Sequence, residues 1–96
     1  MKQLVEEIIS FRDERNWRKY HTPANLAKSI SIEAAELLEN FQWDEAYDHE
    51  NVCDEIADIM IYSILAADAV GVDMESIIRA KMKKNAIKYP AGDIEL

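Results

Sequence analysis

The chain predicts an all-α domain. Its 96 residues include only two glycines and two prolines, too few breakers for a loop-rich or all-β fold. No stretch alternates Val, Ile and Thr with polar residues as a half-buried strand does. Apolar residues recur instead at helical spacing, between recognisable caps. With 49% of its residues apolar, residues 1–96 can bury one modest core and are read as a single domain.

The first helix is expected from about Lys2 to Arg15, with Leu4, Val5, Ile8, Ile9 and Phe11 on its apolar face. The polar stretch RDERNWRKYH ends it. Thr22 followed by Pro23 reads as an N-cap with proline at the first helical position. Leu26, Ile30, Leu37 and Phe41 then carry a second helix to about Gln42. An acidic connection, WDEAYDHEN, leads to a third helix capped by Asn51 or a residue just before it. That helix runs to Val70 and stops at Gly71, where the left-handed C-terminal turn favours glycine. Asp73 caps a fourth helix, from about Met74 to Lys88, closed by Tyr89-Pro90-Ala91-Gly92. No repeat, low-complexity tract or internal domain boundary interrupts this order.

Charge and cysteine usage narrow the partners. The net charge of −8 argues against nucleic-acid polymers and anionic membranes. An anionic ligand would need local neutralisation by metal or clustered lysines. The single cysteine, Cys53, excludes an intramolecular disulfide and fits a reducing cytoplasm. No secretory signal opens the chain. The apolar run around Ile59 to Val70, broken by Ser63 and Asp68, is too short to span a bilayer.

Two acid pairs hold most of the functional information: Glu33 with Glu36, and Glu55 with Asp58. An i, i+3 spacing places each pair on one helix face. At about 100° per residue, Glu33 falls within about 20° of Leu26 and about 40° of Leu37, inside the apolar stripe. Glu36 lies about 60° to one side, and Glu39 turns toward solvent. On the third helix, Glu55, Asp58 and Tyr62 share a sector about 60° wide. Val52, Ile56, Ile59, Met60, Ile61, Ile64, Leu65 and Val70 surround nearly the whole circumference of that helix. A helix apolar all round is buried in a large core or an interface. Self-association is therefore expected.

Acids at this spacing are also common on solvated helix faces, which is the competing explanation. It is weakened by the apolar neighbours, and by the absence of Lys or Arg one turn from Glu55 or Asp58 on their helix. Buried carboxylates without a counter-charge are destabilising unless a cation binds them. Neither pair contains histidine, and His21 and His49 lie outside both. Oxygen ligands alone favour Mg²⁺ or Mn²⁺ over iron or zinc, and Mg²⁺ typically joins carboxylates to substrate phosphates.

The pattern Glu33-x-x-Glu36, 18 residues, Glu55-x-x-Asp58 resembles the all-α nucleoside triphosphate pyrophosphohydrolases, the MazG-like superfamily. The resemblance runs from about Phe11 to Pro90 and is greatest to the dCTP pyrophosphatase branch. RDERNWRKYHTPANLAKSISIEAAELLENFQW is similar to the N-terminal half of that branch; DEIADIMIYSILAADAVGVD and KMKKNAIKYP are similar to its C-terminal half. Trp17, His21, Asn25, Phe41-Gln42-Trp43, Tyr62, Lys81, Asn85 and Tyr89-Pro90 extend the match beyond the acids.

The resemblance implies hydrolysis of an NTP or dNTP to the monophosphate and pyrophosphate, clearing surplus or modified nucleotides. By it, Glu33, Glu36, Glu55 and Asp58 are the metal ligands. Glu36 and Glu33 are the candidate catalytic carboxylates, with Glu36 ahead of Glu39 as general base. Trp17, Trp43 and Tyr62 would meet base or sugar, and His21 and Asn25 would offer donors. Lys81, Asn85 and Tyr89, spaced four apart on one stripe, would hold phosphate, with Lys28 and Lys84 in support. The implied fold is a four-helix bundle assembled as a homodimer or homotetramer. The short loop between Trp43 and Asn51 and the little chain after Gly92 set this sequence apart from larger members. Two alternatives remain open here. In one, the same fold acts on another pyrophosphate, such as dUTP, mixed NTPs or phosphoribosyl-ATP; in the other, the third helix serves a non-catalytic interaction module.

Overall fold

A computed structural model describes residues 1–92, and the few residues after Gly92 lie outside the described part. Four α-helices follow in order: α1 (Lys2–Glu14), α2 (Pro23–Glu39), α3 (His49–Ala69) and α4 (Met74–Lys88), with a 3-10 turn at Arg18–Tyr20 after α1. No strand occurs among the described residues. The fold is all-α.

Local chemistry sets the helix ends. The Thr22 hydroxyl accepts from the Asn25 amide at 3.1 Å, with Pro23 in the first turn. Asp73 accepts from the amide and hydroxyl of Ser76 at 3.0 and 2.8 Å. The cap of α3 is Asp48 rather than Asn51, and its carboxylate accepts from the amides of Glu50 and Asn51. Two helices end in Schellman turns. After α3, Gly71 takes φ +76°, and the Gly71 and Val72 amides donate to Asp68 and Ala67 carbonyls. After α1, Asn16 takes φ +57°, and the Asn16 and Trp17 amides donate to Asp13 and Arg12 carbonyls. Asparagine is among the few non-glycine residues that tolerate this conformation. The second helix stops at Glu39 instead of about Gln42, because the Asn40 side chain folds back on the Glu36 and Leu37 carbonyls.

Helices α2 and α3 form an antiparallel hairpin. The Asn40 amide donates to the Asn51 side-chain oxygen at 2.9 Å, which pins the register. Counting four residues back from Asn40 and four on from Asn51 brings Glu36 level with Glu55. Three more in each direction bring Glu33 level with Asp58. The hairpin thus brings the two acid pairs face to face.

The core is small. Ile64, Ala67 and Met74 are buried together, with Val5 and Ile8 of α1 packed on them, and Leu26 of α2 is 1% exposed. Beyond Met74, every residue of α4 is exposed. The chain by itself therefore does not close the expected bundle: α1 and α2 pack on α3, whereas α4 meets α3 only near its start. The Cα radius of gyration is 16.3 Å, against about 12 Å for a compact domain of this length.

Candidate active site: a carboxylate cluster beside an aromatic cavity

Glu33, Glu55 and Asp58 converge between α2 and α3. Each offers a carboxylate oxygen, and these oxygens lie within 4.8 Å of one another. Glu55 is buried at 9% exposure, and the other two are half-buried. Oε2 of Glu33 and Oε2 of Glu55 are enclosed without a hydrogen-bond partner. Among the described residues no lysine or arginine pairs with any of the three. Mutual crowding is visible in the acidity of Glu33 and Glu36. Sharing with Glu55, then burial, pushes the Glu33 carboxyl above the usual carboxylate range. Glu36, beside the trio, is pushed up chiefly by Glu33. Enclosed, unpaired, oxygen-only ligands suit a hard divalent cation of the Mg²⁺ type.

A cavity of about 470 Å³ adjoins the cluster and shares Asp58 with it. Its walls come from α1 (Ile8, Phe11, Arg12), the turn after it (Trp17, Tyr20, His21) and α3 (Ile61, Tyr62, Leu65). The Schellman turn at Asn16 places Trp17 here, and the Trp17 ring meets Phe11 edge-on at 5.9 Å and His21 at 6.2 Å. Arg15 stacks over the Phe11 ring at 3.4 Å. His21 carries a buried Nδ1 without a partner, and burial followed by the Arg12 charge holds its pKa down, so the ring is neutral at pH 7. Burial, then Glu33, raises the Tyr62 phenol, which stays a hydrogen-bond donor. An acid cluster able to hold a cation thus adjoins a partly aromatic cavity through Asp58.

The MazG-like family model matches residues 28–95, including all four paired acids. This chain belongs to the MazG-like family. It is 33% identical to bovine (Bos taurus) dCTP pyrophosphatase 1, over 83% of this chain and 53% of the relative. The human (Homo sapiens) dCTP pyrophosphatase 1 is 31% identical over 84% of this chain and 54% of its own length. The chain spans about half the length of these curated relatives. A pyrophosphatase from Archaeoglobus fulgidus DSM 4304, a solved structure, superposes with a TM-score of 0.82 at 45% identity, covering 94% of this chain and 92% of that one.

The MazG-like fold gathers some of the sequence-derived site residues and leaves others apart. Glu33, Glu55 and Asp58 form the cluster, Glu36 borders it, and Trp17, His21 and Tyr62 line the cavity. Asn25 spends its side-chain amide on the Tyr20 carbonyl at 3.0 Å, tying the turn to α2. Trp43 is 87% exposed in the loop after α2 and does not line the cavity. Lys81, Asn85 and Tyr89 are exposed along and just past α4 and belong neither to the acid cluster nor to the cavity wall. Arg12 and Tyr20, both on the cavity wall, were not expected. Arg12 had a readable signal: it follows Ile8 by one helical turn and so lies on the apolar face of α1.

Proposed function

We propose that this chain is a Mg²⁺-dependent nucleotide pyrophosphohydrolase, converting a (d)NTP and water to the (d)NMP and pyrophosphate, with dCTP-like substrates favoured. The observation that carries this reading is the partnerless Glu33–Glu55–Asp58 cluster sharing Asp58 with an aromatic cavity. The names of the similar proteins, dCTP pyrophosphatase and pyrophosphatase, support it.

Glu33, Glu55 and Asp58 would hold the Mg²⁺, or Mn²⁺ in its place. When bound, the cation neutralises polyphosphate charge and makes a water more acidic. Glu36 borders the trio and serves as the general base, its raised proton affinity suiting it to take a proton from the attacking water. Glu33 serves as ligand and orients that carboxylate. Trp17 and Tyr62 supply aromatic faces for the base, and neutral His21 offers a ring nitrogen. The base would lie among these side chains while the triphosphate extends toward the acids through Asp58.

Lys81, Asn85 and Tyr89 fit this scheme in trans, on a homodimer or homotetramer. The protomer exposes 7631 Å², whereas a folded monomer of its 11.1 kDa mass exposes about 5,700 Å². The surplus matches the area an obligate dimer buries. Ile77, Ile78, Met82 and Ile87 contribute to it on α4. Seated against a second copy, α4 would complete the bundle and bring its lysines toward the partner's acids. No helix among the described residues is long and apolar enough to cross a membrane, and the exposed, unpaired Cys53 suits a reducing, cytoplasmic setting.

The experiment is a panel of dNTPs and NTPs with Mg²⁺, scoring pyrophosphate against orthophosphate. Pyrophosphate is expected, most rapidly from dCTP. Glu55→Gln with Asp58→Asn should lower it by about a hundredfold or more, since even outer-shell partners of a metal cost up to that much. Absence of pyrophosphate from every substrate, or an unaffected double variant, removes the assignment.

A further inference from the structure

Arg12 is 4% exposed, yet the reaction described above makes no use of it. Its Nε donates to Asp13 at 2.9 Å and its Nη1 to Asp68 at 2.7 Å. Those bonds leave part of the guanidinium's donor fork uncommitted, and Arg12 lies in the cavity wall beside Trp17, His21 and Tyr62.

A purely structural bridge between α1 and α3 explains this poorly. The Asp13 and Asp68 side chains keep 49% and 33% of their exposure, so water already solvates both acids. An apolar side chain would join the helices without the cost of desolvating a cation. The buried charge makes sense at the edge of a slot whose other walls are largely apolar and aromatic. There a fixed planar fork can read adjacent acceptors on a flat ring.

We infer that Arg12 is a specificity-determining residue of this cavity, donating to a ring carbonyl and the neighbouring bare ring nitrogen of a cytosine-type base. Adenine carries no carbonyl, so it cannot present a carbonyl oxygen and a bare ring nitrogen side by side to the fork. Asp68 is a positioning residue that aims the guanidinium from α3. The ligand class rests on the nucleotide reading above.

The test is equilibrium binding of dCMP and dAMP to the full chain, followed by calorimetry, for the native protein and Arg12→Met, Arg12→Lys and Asp68→Asn. The native protein is expected to prefer dCMP by about tenfold or more, the scale of one bidentate base contact. Arg12→Met should bring the two affinities within about twofold. Arg12→Lys keeps a charge for both acids but loses the fork; it should lose the preference equally and decides the matter if Arg12→Met does not fold. Asp68→Asn should weaken the preference in part. A native protein without preference, or variants weakened equally for both ligands with the ratio intact, overturns the inference. Pyrophosphate release by the native protein is measured alongside. Arg12-dependent preference without release removes the enzyme reading alone; release without such preference removes this inference alone.

Discussion

At the scale of single residues, Glu33 and Glu36 connect acidity to stability. Both carboxyls have raised pKa values in the fold, Glu33 through sharing with Glu55 and Glu36 through Glu33. A raised carboxyl binds more protons folded than unfolded, so its stabilising contribution is present at low pH and lost as pH rises through the folded value. The metal-free protein should therefore melt higher at about pH 5 than at about pH 7. Mg²⁺ should raise melting chiefly at pH 7, and Glu33→Gln should flatten the metal-free trend. Asp13 and Asp73 act in the opposite sense, held low by Arg12 and Ser76, so stability falls again on acidification below about pH 4. Thermal melts across pH, with chelator and with Mg²⁺, check the sign; a lower metal-free melting point at pH 5 contradicts it. The acids were legible because a charge on an apolar helical stripe is costly and so informative. Arg12 carries the same signature one turn after Ile8, but Asp13 beside it on the same helix offers an ordinary ion-pair partner and hid the guanidinium's role. Asp68, its second partner, is brought near only by tertiary packing.

At the scale of elements, the helix ends follow two rules: polar side chains satisfy the open amides at the starts, and left-handed turns satisfy the open carbonyls at the ends. Thr22, Asp73 and Gly71 announced themselves by residue type at a helix boundary. Asn16 did not, since an asparagine inside RDERNWRKYH has no apolar period beside it to mark a boundary. Its positive φ turns the chain so that Trp17 reaches the cavity. Asn16→Ala should cost about 1 kcal/mol, because alanine keeps the β-carbon but lacks the short polar side chain that lets asparagine tolerate the left-handed region, and lower melting by about 4–8 °C. Asn16→Gly should be neutral or slightly stabilising. Equal melting for Asn16→Ala and native protein would contradict the role given to this turn.

At the scale of the whole molecule, the uncovered apolar surface is the dominant fact. Ile56, Met60 and Ile61 of α3 and Met82 and Ile87 of α4 remain well exposed. The periodicity of α3 made this excess visible in the sequence, because no helix partner of the same chain could cover its whole circumference. The position of α4 was not readable in the same way: its caps show where it begins and ends, whereas its direction depends on what it packs against. Light scattering at micromolar concentration should return a dimer or tetramer. Met82→Glu with Ile87→Glu should shift it toward monomer and reduce turnover. A native chain that stays a folded monomer contradicts the assembly.

The hairpin pin between Asn40 and Asn51 divides the chain into tolerant and intolerant stretches. The loop between them can gain or lose residues while the opposed rows of acids keep their spacing. A single residue inserted between Asn51 and Glu55 is another matter: it turns every later acid on α3 by about 100° and carries it away from Glu33. Diversification of this scaffold is therefore confined to the hairpin's tip, while its two legs admit substitution but not length change.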